Sequence, residues 1–270
     1  AFSVAPDWTL RCVPGLAGCF DSEDALLALR PARIVFGGGM FGIPRAFARW
    51  MPVLAEAMAW GAEIHLHNLG VERIKHDLGW LDARARAVIA GLSSFTVRDY
   101  VSVEMVAEAG LGRMPRISFY PEADIPADDD LATQLLPRGR KLLGVSVIPG
   151  PLMQDCLRHE ADRVRALLAP FAGHAVVPVV STVHADSAAE DDVAGCAAFL
   201  QAFLPDAPVA APALLDRDHW RAMLTPARLK GLIARCDVLV TQRKHNAIHA
   251  IGAGVRVIGL HPIEDDSLRR

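Results

Sequence analysis

Short apolar runs alternate with segments of helical periodicity along the first half of the chain. Four strands are predicted from apolar runs that end in glycine, proline or charge: 32–39, 62–70, 95–99 and 116–124. Three helices are predicted between them from apolar residues spaced three and four apart: 46–61, 81–92 and 101–111. This alternation of strand and helix predicts a parallel sheet with helices on both faces.

The alternation stops at residues 126–140, which are acidic and then rich in proline and glycine, and it restarts after them. Strands are then predicted at 141–150, 174–182, 237–241 and 255–260. Helices are predicted at 156–173, 190–204, 226–236 and 245–254. The chain is therefore expected to hold an N-terminal Rossmann-like domain at 1–125, a linker at 126–140 and a C-terminal Rossmann-like domain at 141–270.

Composition narrows the class of protein without naming a function. The 270 residues are 52% hydrophobic, so a large core is expected. The net charge is -3, so nucleic acid is not an expected partner. The five cysteines are scattered without a CxxC pair, which favours reduced core thiols over a zinc site or a disulfide scaffold. No cofactor or metal is expected.

The first residues lack the basic start and apolar core of a signal peptide, and no apolar run reaches the roughly 18 residues of a membrane span. The chain is expected to be cytoplasmic. Peripheral contact with the inner membrane surface stays open.

The stretch VTQRKHNAIHAIGAG, residues 240–254, is the strongest candidate site. Arg243, Lys244 and His245 are predicted on the loop between a strand and a helix, and Asn246 is a candidate N-cap of that helix. A guanidinium and free backbone N–H groups at a helix start favour binding of an anion. A histidine there can give or take a proton near neutral pH.

Two other interpretations of this stretch remain. The first is a solvated loop with an ordinary helix cap. The second uses the i, i+4 spacing of His245 and His249, which suits a metal on one helix face, but the sequence HNAIH is not HExxH and no third ligand is indicated. His249 is therefore expected to pack inside with its ring hydrogen-bonded.

Three further loops at predicted strand ends carry candidate residues. Glycines at the end of the first strand would let a ligand approach the backbone, although a bare tight turn fits as well; they are Gly37, Gly38 and Gly39. Arg98 could project into a crevice while Asp99 caps the next helix, or the two could form a surface pair. His184 follows a strand of the second half, and the acidic residues 190–192 most simply begin a helix.

The chain resembles the polysaccharide pyruvyl transferase family in the order of four segments. They are GGGMF after IVF, TVRDYVSVEMVAEAGL, LLGVSVIPG and CDVLVTQRKHNAIHAIGAGVRVIGL. The most specific part is RKH at 243–245, followed by Ala250 and by GVRVI at 254–258. The resemblance runs over residues 34–260, which is most of the chain.

This resemblance implies two Rossmann-like halves in a GT-B-like arrangement. It also implies transfer of a pyruvyl group from phosphoenolpyruvate to a saccharide or lipid-linked oligosaccharide, with formation of a ketal. His245 matches the family's catalytic or donor-binding histidine, and Arg243 matches the arginine that holds the anionic donor. Arg98 matches the arginine of the family's V-R-D segment.

Two other functions are kept as alternatives. A GT-B glycosyltransferase would hold the diphosphate of a nucleotide-sugar at the same helix start. A non-catalytic member would bind a saccharide or a partner enzyme without turnover. Ile148 stands where members often carry an arginine, and no G-N-x-G-D loop occurs near the start of the sequence.

Overall fold

The computed structural model describes residues 23–37, 48, 50–71, 81–118, 120–150, 157–183 and 191–260. The chain divides into two compact units, residues 1–119 and 120–270. None of the described helices is both long and apolar enough to cross a membrane.

In its described residues, the first unit forms a parallel four-stranded sheet with helices between the strands. The strands are β1 (Arg33–Gly37), β2 (Glu63–Leu69), β3 (Ser94–Val97) and β4 (Arg116–Ile117), and they lie side by side in that order. The helices are α1 (Glu23–Leu29), α2 (Trp50–Ala59), α3 (Ala83–Ala90) and α4 (Tyr100–Glu108). Gly61, with φ 90°, follows α2 in the left-handed region, as the glycine stop of that helix predicts.

Strand β2 shows how the first unit builds its core. Ile64 and Leu66 are fully buried in the apolar cluster, while His65 and His67 alternate with them. The two histidines contact hydroxyls of β3: His65 Nδ1 lies 2.8 Å from Ser94 Oγ and His67 Nδ1 lies 3.3 Å from the Thr96 hydroxyl. The strand therefore turns apolar residues to the core and polar residues to its other face.

The second unit repeats the pattern with a second parallel sheet. Its strands are β5 (Leu142–Ser146), β6 (Ala175–Pro178), β7 (Val238–Thr241) and β8 (Arg256–Gly259). Its helices are α5 (Asp130–Leu135), α6 (Ala161–Leu168), α7 (Asp192–Phe203), α8 (Arg217–Met223), α9 (Pro226–Ala234) and α10 (Lys244–Gly252). These parallel sheets confirm the α/β class, with two Rossmann-like halves, that the sequence predicts.

The strand order β6-β5-β7-β8 places β5 at a topological switch. The chain leaves β5 for β6 on one side and then crosses back to β7 on the other side. Ligands of open α/β sheets bind in the crevice outside the carboxyl ends of strands at such a switch. The topology therefore predicts a ligand site among the residues that follow β5, β6 and β7.

Apolar clusters cover both faces of this second sheet. Leu142 and Leu239 pack on one face with helices α5, α9 and α10. Leu143 and Val240 pack on the other face with α6 and α7. Strands buried on both faces read as continuous apolar runs, which explains why LLGVS and VLVT were recognisable in the sequence.

The structure differs from the sequence-based prediction in three places. The strand predicted at 116–124 covers only Arg116–Ile117, and Pro121–Asp124 is a 3-10 turn. Residues 126–140 contain helix α5, whose Leu131 and Ala132 are buried in the second unit's core. Helices α1 and α8 were not predicted, because both are short and lack a long apolar repeat.

Candidate functional site

Three strands of the second sheet each end in a hydroxyl-bearing segment. Ser146 is the last residue of β5, Ser181 follows β6, and Thr241 is the last residue of β7. Ser146 and Thr241 are fully buried. Polar groups buried at strand ends need hydrogen-bond partners, and the side chains that supply them form the candidate site.

Asn246 joins two of these strand ends. Its side-chain N–H group donates to Ser146 Oγ at 2.7 Å and to Ser181 Oγ at 3.1 Å. The prediction that Asn246 caps a helix is wrong, because α10 begins at Lys244 and Arg243 occupies the N-cap position. Asn246 therefore lies inside the first turns of the helix, where its side chain turns inward and is fully buried.

Arg243 forms an ion pair with Asp192, a residue that lies 51 positions earlier in the chain. Arg243 Nε and Nη2 donate to one oxygen of Asp192 at 2.8 and 2.7 Å. The arginine side chain is 19% exposed, and the aspartate side chain is completely buried. The cation predicted to clamp a ligand is thus already held by a buried carboxylate.

The second oxygen of Asp192 is also saturated. It accepts from Ser181 N–H at 3.0 Å, from Ser181 Oγ–H at 2.9 Å and from Thr182 N–H at 3.0 Å. A buried carboxylate is tolerated only when it is paired and hydrogen-bonded, and Asp192 meets both conditions. Its neighbour Asp191 caps α7 by accepting from Val193 N–H at 3.1 Å, as expected of an acidic helix start.

A pocket of about 330 Å³ opens beside this network. One side is lined by Arg243, which precedes α10, and by three residues of that helix: His245, Asn246 and His249. The remaining lining comes from the loop after β6 and from helices α8 and α9 with the turn between them: Ser181, Thr182, Trp220, Leu224, Thr225, Pro226 and Leu229. Trp220 is fixed there because its indole N–H donates to Val180 O at 2.7 Å.

His245 and His249 occupy different environments in this pocket. His245 is exposed, and His249 is buried, as its predicted packing role requires. Among the described residues no group of three or more histidine, cysteine, aspartate or glutamate side chains is arranged to hold a metal. Lys244 turns to Tyr120, with its ammonium 4.9 Å from the centre of the ring.

Ile148 takes part in a different cavity of the second unit. It lines a space of about 360 Å³ between α6 and α7, together with Val147, Pro149, Arg158 and Arg165. Its backbone N–H donates to Gln242 Oε1 at 2.8 Å, which ties the loop after β5 to the loop after β7. The side chain at position 148 is thus absent from the lining of the pocket that holds His245.

In the first unit, Arg98 is only 7% exposed, at the end of β3. Its guanidinium lies against Gly70: a Cβ added there would stand 2.2 Å from Arg98 Nε. Asp99 lies 3.7 Å from the same Nε and caps α4 by accepting from Ser102 N–H at 2.8 Å, as predicted. Gly37 is the last residue of β1, opposite His67 of β2.

Gly38, Gly39 and His184 lie outside the described residues. The structure gathers Arg243, His245 and Asn246 around one pocket, and it places Lys244 against Tyr120. Gly37 and Arg98 belong to the first unit. The predicted roles of these residues in binding and catalysis stay predictions.

Sequence reasoning missed Asp192, Gln242 and the two serines of the network. Asp192 reads locally as part of an acidic helix start, and its partner is distant in sequence. The available signal was polar residues closing apolar runs, Ser146 after LLGV and Ser181 after VVPVV. Such residues at strand ends have to find buried partners.

Cys196 and Cys236 are free and buried, in agreement with the prediction of reduced core thiols for these two. Burial raises the pKa of the Cys196 thiol from 9.0 to about 12. Burial, with a smaller contribution from Asp237, raises the pKa of Cys236 to about 12 as well. Both thiols therefore stay protonated and unreactive at neutral pH.

Comparisons with known proteins agree with the fold. A candidate UDP-N-acetylglucosamine 2-epimerase from Listeria monocytogenes superposes with a TM-score of 0.52 at 11% sequence identity, over 88% of this chain and 59% of the other. At that identity the likeness shows the fold alone, and this chain spans well under two thirds of that protein. No curated protein matches the sequence.

A family comparison is more specific. The sequence model of the family described as polysaccharide pyruvyl transferase matches residues 16–261, which is most of the chain and includes every strand of both sheets. The chain belongs to the polysaccharide pyruvyl transferase family.

Proposed function

We propose that this protein transfers the pyruvyl group of phosphoenolpyruvate to a saccharide and forms a ketal across two hydroxyls. The observation that carries the proposal is the pocket at the switch of the second sheet, where Arg243 and His245 lie side by side with Ser181 and Thr182. The family membership of the chain supports the reaction class. The identity of the donor rests on the chemistry of the pocket.

The pocket suits a small anion that carries both a carboxylate and a phosphate. The N-terminus of α10 points backbone N–H groups and the positive end of its dipole toward this region. Arg243 adds a guanidinium at the pocket whose Nε and Nη2 are held by Asp192. The hydroxyl of Thr182 adds a further hydrogen-bonding group, whereas the Ser181 hydroxyl already donates its proton to Asp192.

Ketal formation from this donor needs a proton and a stabilised cation. Protonation of the methylene carbon of phosphoenolpyruvate turns it into a methyl group and leaves C2 cationic. One sugar hydroxyl bonds to C2 and releases its proton. A second hydroxyl then bonds to C2 as the bond from C2 to the phosphate oxygen breaks. Inorganic phosphate leaves with the electron pair and takes up the proton of this second hydroxyl.

We assign the proton transfer to His245 and the binding of the donor to Arg243. His245 is exposed at the pocket, so its ring can reach a bound ligand and exchange protons with solvent. Arg243 is fixed in place by Asp192, which suits a group that holds an anion without taking part in proton transfer.

The acceptor in this proposal is a saccharide or a lipid-linked oligosaccharide used to build a cell-surface or exported polysaccharide. We place the reaction in the cytoplasm, at the inner membrane surface if the acceptor is lipid-linked. A nucleotide-sugar is the alternative donor, since its diphosphate would suit the same helix start.

The test measures donor binding and turnover separately. Calorimetry with phosphoenolpyruvate and with UDP-N-acetylglucosamine identifies the donor, and phosphate release with a panel of nitrophenyl and lipid-linked sugars identifies turnover. We expect His245→Ala to lower turnover about 100-fold or more while phosphoenolpyruvate still binds. Arg243→Ala should weaken binding about tenfold or more.

Two exposed residues of the same unit serve as matched controls. His159→Ala and Arg163→Ala remove the same kinds of side chain outside the pocket and should change neither measurement. Binding of the nucleotide-sugar but not of phosphoenolpyruvate would overturn the proposed donor. Binding of phosphoenolpyruvate without phosphate release from any acceptor would favour a non-catalytic member.

A further inference from the structure

We infer that Asp192 is the positioning residue of the site: it fixes the Arg243 side chain and the loop after β6 in one arrangement. The sequence motif includes Arg243, but it singles out neither this aspartate nor Ser181 and Thr182, which the aspartate also binds. The inference rests on the proposed function for its kinetic test, but its structural basis is independent of the ligand.

The geometry gives Asp192 this role through its two oxygens. One oxygen accepts from Arg243 Nε and Nη2, at 2.8 and 2.7 Å. The other accepts from the backbone and hydroxyl of Ser181 and from the backbone of Thr182. A single buried carboxylate therefore couples the carboxyl end of β6 to the residue that precedes α10.

Two backbone hydrogen bonds also hold Asp192 and Arg243 in place. Asp192 N–H donates to Thr182 O at 3.1 Å, so the aspartate is held by the same loop that it holds. Arg243 N–H donates to the Thr241 hydroxyl at 2.9 Å, which fixes the arginine backbone at the end of β7. The guanidinium has little freedom left, because its main chain and its Nε edge are both anchored.

Ser181 extends the coupling to a third strand. Its hydroxyl donates to Asp192 and accepts from Asn246, whose amide also donates to Ser146 at the end of β5. The carboxyl ends of β5, β6 and β7 are thus joined through two buried side chains, Asp192 and Asn246. Such a connected network holds a binding group in the bound geometry before the ligand arrives.

The kinetic consequence concerns affinity for the donor. If Asp192 acts through Arg243, then Asp192→Asn should raise the KM for phosphoenolpyruvate about tenfold and change kcat less than twofold, per folded protein. An aspartate that only supports the fold would lower the folded fraction and leave KM unchanged.

A double-mutant cycle makes the test specific to Arg243. In an Arg243→Ala background, Asp192→Asn should change the affinity for phosphoenolpyruvate, measured by calorimetry, about threefold or less, because only its contacts with the loop after β6 are left to lose. An effect of equal size in both backgrounds would overturn the inference. Asp162→Asn, in an exposed i, i+3 pair with Arg165, is the matched control and should change neither constant.

If Asp192→Asn does not fold, a second variant, Ser181→Ala, and an NMR measurement on the ligand-free wild-type protein test the same inference. Ser181→Ala removes one hydrogen bond to Asp192, keeps both charges and should raise KM about threefold. In the wild-type protein, NMR should show slower solvent exchange of Arg243 Nε–H than of Arg163 Nε–H, since only Arg243 is held by a buried carboxylate.

The outcomes separate this inference from the proposed function. Equal exchange rates at the two arginines would overturn the positioning role whatever the substrate is. Slow exchange at Arg243 in a protein that neither binds nor turns over phosphoenolpyruvate would support the ion pair and contradict the proposed donor.

Discussion

Both parallel sheets place an arginine just beyond a strand and before a helix, and the two arginines have different surroundings. Arg98 lies in a groove left by Gly70 and is 7% exposed. Arg243 lies at a pocket and is held by a carboxylate brought from another helix. The local sequence pattern is the same, and neighbours distant in sequence decide what each arginine can do.

The two sheets also differ in how their strands are buried. Strand β2 of the first sheet alternates core residues with histidines, whereas β5, β6 and β7 of the second sheet are buried along their whole length. A strand buried on both faces can carry polar groups only where they find partners, so the polar residues of β5 and β7 lie at their carboxyl ends.

The largest effect on stability is expected from Gly195→Ala in the second unit. A Cβ at this position of α7 would stand 2.2 Å from Val147 O and 2.9 Å from the backbone of Ile148 and Pro149. Since backbone atoms cannot move aside cheaply, we expect a loss of about 3 kcal/mol in the free energy of unfolding. Denaturant titration measures it, and Gly173→Ala, which meets no atom within 4 Å, is the control.

The rate at which the Cys196 thiol is alkylated reports on the packing next to Gly195 and gives a second measurement for this prediction. This thiol donates to Val145 O at 3.3 Å and stays protonated at pH 8, because burial raises its pKa to about 12. Gly195→Ala should speed its alkylation by iodoacetamide, followed by mass spectrometry. Stability and alkylation equal to those of Gly173→Ala would contradict the close packing of α7 on the loop after β5.

A smaller loss is expected from Gly70→Ala in the first unit, although its Cβ also falls within 2.2 Å of another atom. The atoms it meets belong to the guanidinium of Arg98, the far end of a flexible side chain. We expect a loss of about 1 kcal/mol, with Arg98 displaced and Cys196 alkylated at the wild-type rate. Gly61→Ala would be a poor control because its φ of 90° is strained for alanine.

A loss in Gly70→Ala as large as that in Gly195→Ala would show that the Arg98 guanidinium is as immobile as the backbone. The same variant tests the predicted role of Arg98. If phosphoenolpyruvate affinity falls with little change in stability, Arg98 takes part in donor binding. If affinity is unchanged, Arg98 serves the packing of its own unit.

The sequence predicted the fold well where strands were buried on both faces and less well where elements were short. The runs LLGVS and VLVT stand out because every residue is buried, while α8, with charges throughout, offers no repeat to recognise. Helix α5 lies in the segment predicted as a linker, because acidic and proline-rich residues flank the two buried residues, Leu131 and Ala132, that anchor it.

The sequence predicted a boundary between strand and helix after Thr241, and the structure places Arg243 and His245 there, at a pocket. Their roles in binding and catalysis stay predictions. The prediction that Asn246 is the N-cap is wrong because the cap lies three residues earlier, at Arg243. Asn246 is therefore inside the helix, and its side chain turns inward to Ser146 and Ser181. Asp192 could not be found from local pattern, since its role exists only once α7 and β7 are brought together.

The most direct test of the central claim is an experimental structure of the protein with phosphoenolpyruvate bound. We predict that the donor lies in the pocket lined by Ser181, Arg243 and His245, with the Asp192–Arg243 ion pair intact and an anionic group of the donor within hydrogen-bonding distance of Arg243. Binding in the cavity of Arg158 and Arg165, or outside the second sheet's carboxyl edge, would contradict it.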